Sequence, residues 1–185
     1  GTPRIREAIS KKFKRDNGLD YAPDQIVVST GAKQSLANVV LSLVNPGDEV
    51  ILPAPYWVSY EEIVKVAGGI PVIIPTTIQE DYKINPEALE AAINEKTRLV
   101  IYSSPCNPSG SVYSQEETAA IADVLRKHDN VFTISDEIYE LINFTSRHAS
   151  LAAEPGMIER VITVNGVSKG FAMTGWRIGY IGAPE

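Results

Sequence analysis

Val161-Ile162-Thr163-Val164-Asn165-Gly166-Val167-Ser168-Lys169-Gly170-Phe171-Ala172-Met173-Thr174-Gly175-Trp176-Arg177-Ile178-Gly179-Tyr180-Ile181 holds two apolar runs separated by a loop of mostly small residues. The runs 161–165 and 178–181 are short and rich in Val and Ile, and they read as β-strands. The loop between them is too short for a full crossover helix. The final strand therefore reads as antiparallel.

Working outward, further strands are expected at 25–29, 49–52, 70–74, 99–103 and 131–135. Most are near-continuous apolar runs, the pattern of strands covered on both faces. Helical stripes alternate with them: Ile5, Ile9 and Phe13; Leu36, Val39, Val40 and Leu43; Ile121, Val124 and Leu125. Asn85-Pro86 reads as an N-cap followed by a first-turn proline, and Ser114 with Glu117 as a capping box. Connections of this length imply parallel pairing. The fold class expected is α/β: a three-layer α/β/α arrangement around a mostly parallel seven-stranded sheet with one antiparallel strand.

The bulk composition narrows the function. A chain of 185 residues with 44% hydrophobic and 22% charged content fits one soluble globular domain. Net charge of −6 and the lack of a basic cluster argue against a nucleic-acid partner or an anionic membrane. No apolar run reaches membrane-span length. Cys106, the single cysteine, cannot form an internal disulfide, which suits a cytoplasmic location. Gly1-Thr2-Pro3 leads straight into a helical pattern and the last strand nearly ends the chain, so a piece of a longer protein is expected.

Lys169 sits in the small-residue loop, eight positions before Arg177. A lysine amine is nucleophilic only when neutral, and a tight, partly desolvated loop favours that form. The arginine fork fits a phosphate. Lysine for a Schiff base with arginine for a phosphate is what pyridoxal 5'-phosphate requires. The plainer alternative is a surface lysine beside a salt-bridging arginine.

Other segments lie at the carboxyl ends of strands, where open α/β sheets bind ligands. Gly31, Ala32 and Lys33 open a helix whose free N–H groups can seat a phosphate, or merely cap it. Trp57 follows Pro53-Ala54-Pro55-Tyr56, either aimed by the prolines or packing as a rim aromatic. Asn107 lies between two constrained turns in Ser104-Pro105-Cys106-Asn107-Pro108-Ser109-Gly110, a place that suits either a ligand donor or a plain turn former. Asp136 ends a buried strand, where an acid is costly unless paired. Tyr139 follows three residues on, and Glu137 reads as a surface or supporting acid. Cys106 reads as an inert filler. His128 falls near a helix end and His148 in a polar loop, neither at metal-ligand spacing from a Cys or Asp, so no metal site is expected.

Taken in order, these motifs resemble the class I and II aminotransferases, which are fold-type I pyridoxal phosphate enzymes. Pro55-Tyr56-Trp57-Val58-Ser59-Tyr60 and Phe171-Ala172-Met173-Thr174-Gly175-Trp176-Arg177 are most similar to the bacterial aspartate aminotransferase branch. The resemblance implies that residues 1–185 are the pyridoxal phosphate-binding large domain, without the N-terminal arm and the C-terminal small domain. It puts Lys169 in the Schiff base and makes it the carrier of a proton from the substrate Cα to the cofactor C4′. By the same resemblance, backbone of Gly31, Ala32 and Lys33, with Arg177, would bind the phosphate. Trp57 would stack on the pyridine ring beside the substrate, and Asn107 would lie at both cofactor and substrate. Asp136 would pair with the pyridine nitrogen, while Asn107 and Tyr139 would bond the phenolic oxygen. Many relatives carry a phosphate-binding serine where this chain has Gly166, so either Ser168 partly replaces it or the phosphate relies more on Arg177 and backbone amides.

The activity implied is transfer of an amino group between an L-amino acid, aspartate, and a 2-oxo acid, 2-oxoglutarate, in a homodimeric full-length protein. The residues that clamp the substrate α-carboxylate and read its side chain lie outside this segment, which by itself is expected to be inactive. Carbon–sulfur lyases, aminocyclopropane-type synthases and aromatic or kynurenine aminotransferases share the same cradle. So do transcription regulators that sense pyridoxal phosphate and carry a basic helix-turn-helix segment upstream.

Overall fold

In a computed structural model describing residues 1–145 and 147–184, the sequence forms β1 (Ile26–Ser29), β2 (Glu49–Ala54), β3 (Ile70–Pro75), β4 (Thr97–Ser103), β5 (Phe132–Asp136), β6 (Val161–Gly166) and β7 (Gly179–Gly182). They make one sheet in the order β1-β7-β6-β5-β4-β2-β3. β7 is antiparallel to both β1 and β6, and the other neighbours are parallel. The expectation drawn from the short 166–178 connection is met. β2 and β5 extend past their expected ends because Pro53 and Ala54 still pair with Ile74 and Pro75, and Asp136 pairs with both Ser103 and Val164.

Apolar strands persist because both faces are covered. On β4, Leu99 and Ile101 pack on one side while Val100 and Tyr102 pack on the other. Helices α1 (Pro3–Lys12), α4 (Pro86–Ala92) and α5 (Gln115–Leu125) bury Ile9, Leu89 and Ile121 against the Val100 face. Helices α2 (Ala32–Leu43) and α3 (Ser59–Val66) bury Leu36 and Val64 against the other. Each such side chain contributes about 1.5–3 kcal/mol relative to exposure. The result is the three-layer α/β/α arrangement.

The local start signals act as expected. Asn85 Oδ1 accepts from the Glu87 and Ala88 amides. Ser114 Oγ accepts from the Glu117 amide at 3.2 Å, and Glu117 Oε2 accepts from the Ser114 amide at 2.7 Å. Among the described residues, no helix is long and apolar enough to cross a membrane.

Every strand but β7 points its carboxyl end to one edge of the sheet. Because β7 runs the other way, its amino end, just after Arg177, arrives at that same edge. The antiparallel strand thus delivers the arginine to the loops that carry the other site residues.

Candidate active site

A cavity of about 230 Å³ opens at this edge. Ala32, Lys33, Trp57, Asn107, Asp136, Tyr139, Ser168, Lys169 and Arg177 all line it, so the residues singled out from five separate loops converge. Gly31 lies just beneath: a Cβ there would overlap the Arg177 guanidinium. Gly31 also holds φ +87° at the N-cap of α2, a backbone conformation that favours glycine. The Gly31 carbonyl accepts from the Gln34 and Ser35 amides. The Ala32 and Lys33 amides belong to the first helical turn, where no intrahelical acceptor exists.

Asp136 is 3% exposed at the end of β5. Its Oδ2 accepts from Tyr60 Oη at 2.7 Å and its Oδ1 from the Ile138 amide at 3.2 Å. Burial pushes its carboxyl up to about 6, the Tyr60 and Ile138 hydrogen bonds oppose that rise, and the nearby Glu137 charge adds to it. Tyr60 in turn is held well above the ordinary phenol value by its burial and by the Asp136 charge. Among the described residues no cation pairs with Asp136, and its carboxylate faces the cavity.

Aromatic rings frame the walls. Trp57 meets Tyr60 edge-on, with ring centroids 5.7 Å apart, and Lys33 Nζ lies 4.8 Å from the Trp57 ring centroid. Lys33 therefore offers a side-chain ammonium to the cavity as well as the backbone amide expected of it. Lys169 Nζ lies 5.5 Å from the Tyr139 ring centroid. Arg177 is a non-glycine residue at φ +53°, and its Nη1 donates to the Thr174 carbonyl at 2.9 Å. A side chain held in that sparsely populated region costs free energy, and such positions gather at ligand sites.

Two expectations need correction. Lys169 is exposed in this structure, so these residues do not supply the desolvation foreseen for its loop. Of the two readings of Glu137, surface or supporting acid, the first fails: it is fully buried, accepting from Ser135 Oγ at 2.9 Å and Ser150 Oγ at 2.7 Å. His148 Nε2 stands 2.8 Å from Glu137 Oε2. Burial opposes the charged imidazole, yet the Glu137 hydrogen bond and charge outweigh it and raise the His148 pKa. The histidine set aside as a loop residue thus belongs to a buried cluster with Glu137 and Glu140, ligand atoms within 4.8 Å of one another. Lys12 already engages the Glu140 carboxylate there.

Sequence reasoning missed Tyr60, Ser103, Ile138 and Thr174 on the cavity wall. For Tyr60 the only local signal is its spacing three residues after Trp57 at the start of α3.

The fold is that of aminotransferases of known structure. The family model for aminotransferase class I and II matches residues 1–185, and the chain belongs to that family. It is 53% identical over its whole length to a bifunctional aspartate aminotransferase and glutamate/aspartate-prephenate aminotransferase of Petunia hybrida, covering 39% of that protein. It is 51% identical to an aspartate/prephenate aminotransferase of Nitrosomonas europaea, again along its whole length and covering 47% of the relative. The aspartate aminotransferase structure from Rhizobium meliloti superposes with a TM-score of 0.97 at 48% identity, over all of this chain and 46% of that one. An aromatic aminotransferase from Pyrococcus horikoshii gives 0.95 at 43% identity, over all of this chain and 49% of that one. The chain spans less than half the length of the curated relatives it matches.

Proposed function

We propose that this chain is the pyridoxal phosphate-binding large domain of an aminotransferase that exchanges amino groups between aspartate and 2-oxoglutarate. The observation that carries the reading is Asp136: a buried carboxylate, fixed by Tyr60 and facing a cavity that also receives Lys169 and Arg177. A buried acid of this kind calls for a cation from a ligand. A protonated pyridine nitrogen meets that need.

The remaining residues fit the same group. The guanidinium of Arg177 and the first-turn amides of Ala32 and Lys33 suit a phosphate dianion at a helix N-terminus. Close packing of Gly31 under Arg177 leaves no space there for a side chain. Ser168 is a further hydroxyl on the wall, standing in for the serine that Gly166 replaces. Trp57 offers a flat face for an aromatic ring and a boundary for the substrate. Asn107 and Tyr139 supply donors for the phenolic oxygen.

When bound, pyridoxal phosphate supplies the electron sink that makes a substrate Cα acidic. Asp136 keeps a proton on the ring nitrogen, because its carboxylate is stabilised by a cation and not by water. Lys169 Nζ would hold the cofactor and would carry a proton away from the substrate Cα. Asn107 and Tyr139 would donate to the phenolic oxygen and hold negative charge there.

Preference for aspartate rests on the names of the relatives at 51–53% identity, since the fold agrees almost as well with an aromatic aminotransferase. A homodimeric, cytoplasmic whole protein rests on the family resemblance. Borohydride reduction after incubation with pyridoxal phosphate, followed by peptide mapping, should place the adduct on Lys169. An adduct chiefly on Lys33 overturns the assignment.

A further inference from the structure

Behind the cavity, on the far side of the segment carrying Asp136 and Tyr139, lies a buried ionic cluster that the chemistry above does not use. Lys12 Nζ donates to Glu140 Oε1 and, at 2.8 Å, to Asn17 Oδ1. Asn17 Nδ2 donates to Glu140 Oε2 at 2.7 Å, closing a ring of three hydrogen bonds. The Lys12 and Glu140 side chains are 12% and 6% exposed, so opening the ring leaves a poorly solvated charge short of partners.

An irregular piece of backbone builds this ring. Phe13–Asn17 is a π-helical turn in which the Gly18 amide reaches back to the Phe13 carbonyl. On an α-helix, residues five apart point about 140° away from each other. The wider π turn brings Asn17 round beside Lys12. Such turns are uncommon and are found frequently at functional sites.

Glu140 directly follows Tyr139. Their turn is closed by the Glu140 amide to the Glu137 carbonyl at 2.9 Å and the Ile142 amide to the Tyr139 carbonyl at 2.8 Å. Asp136 and Tyr139 line the cavity, while Glu137 and Glu140 bond to groups behind it. The segment is therefore held from the rear by two carboxylates. We infer that Lys12, Asn17 and Glu140 form a clamp that sets the Tyr139 hydroxyl in place, making all three positioning residues. The inference rests on the cavity being a pyridoxal phosphate site.

The test uses full-length protein loaded with pyridoxal phosphate and reads the pH midpoint of its visible absorbance. Asn17→Ala removes two of the three bonds without changing charge, and Glu140→Gln is the second variant. Each is made alone and with Tyr139→Phe, and thermal unfolding confirms that each is folded. The clamp requires Asn17→Ala to raise the midpoint by about half a unit, in the same direction as Tyr139→Phe. In the Tyr139→Phe background the same change should add nothing. Glu140→Gln should also raise it, whereas the through-space effect of an unpaired Lys12 charge would lower it. Equal shifts in both backgrounds, or no shift from either variant, overturn the clamp. A parent protein with no absorbance and no borohydride adduct overturns the functional reading and the clamp with it.

Discussion

Tyr60 Oη stands 2.7 Å from Asp136 Oδ2 and donates a hydrogen bond to it inside the protein. The pair joins the first turn of α3 to the end of β5, and it fixes the direction of a buried carboxylate on the cavity wall. Hydrogen bonds to charged groups are worth about 1.5–3 kcal/mol. Tyr60→Phe in a full-length protein should therefore lower kcat/KM about tenfold or more, with most of the loss in kcat. Steady-state kinetics with aspartate check this. Unchanged kcat would show that Asp136 needs no donor.

Asp136 also makes the cofactor-free protein sensitive to pH. Its carboxyl is pushed up to about 6, chiefly by burial, whereas an unfolded aspartate titrates near about 3.9. A carboxyl raised on folding contributes stability below its unfolded value and loses it as pH rises through its folded value. Above that window the ionised, unpaired carboxylate weakens the fold by on the order of 3 kcal/mol. Asp136→Asn should then melt at a higher temperature than the parent near about pH 7.5, with the gap closing by about pH 4. Adding pyridoxal phosphate should stabilise the parent far more than the variant. Equal melting temperatures across the whole range would mean that Asp136 is not held at cost.

How much of this was legible in the sequence depends on the range over which each signal acts. The reversal of β7 was readable because it follows from a count of residues between two apolar runs. Asp136 ends a strand, and Asn107, Lys169 and Arg177 lie in loops within four residues of one, so locating the strands located those loops. Tyr60 was not readable as a partner of Asp136, since its role appears only once α3 folds across the sheet, 76 residues away in sequence. Glu137 could not be told apart as a surface or a supporting acid, because nothing nearby announces that Ser150 and His148 return to cover it. The Lys12–Glu140 contact spans 128 residues, and Asn17 joins it only through a π turn that the four-residue spacing of Ile5, Ile9 and Phe13 conceals.

Gly166 and Ser168 should separate in their effects. A Cβ on Gly166 would stand 2.8 Å from the Ile178 carbonyl oxygen and 3.0 Å from Ile138 Cδ1. The first neighbour is backbone at the entry to β7 and cannot give way cheaply. Gly166→Ser is expected to destabilise the protein by about 1–3 kcal/mol, seen as a lower melting temperature. Ser168→Ala should leave the melting temperature of the cofactor-free protein within error and weaken pyridoxal phosphate binding about threefold to tenfold, the loss of one hydrogen bond. A Gly166→Ser variant as stable as the parent and binding more tightly would show that a serine contact can be accommodated at this position.

Gly31 and Arg177 should behave as one unit. Gly31 holds φ +87° and ψ 158°, a region essentially closed to other residues, and a Cβ there would overlap the guanidinium of Arg177. Since the obstructing atoms end a flexible side chain, Gly31→Ala should displace the arginine as well as strain the backbone, the strain costing about 1–3 kcal/mol. Arg177→Ala should weaken pyridoxal phosphate binding by about tenfold or more, because charge-assisted bonds to a phosphate are among the strong ones. If the harm done by Gly31→Ala runs through the arginine, the double variant should bind little worse than Arg177→Ala alone. Fluorescence titration of pyridoxal phosphate against the four proteins gives the cycle directly. Strict additivity would mean that Gly31 serves the phosphate through the backbone of α2 alone, independently of Arg177.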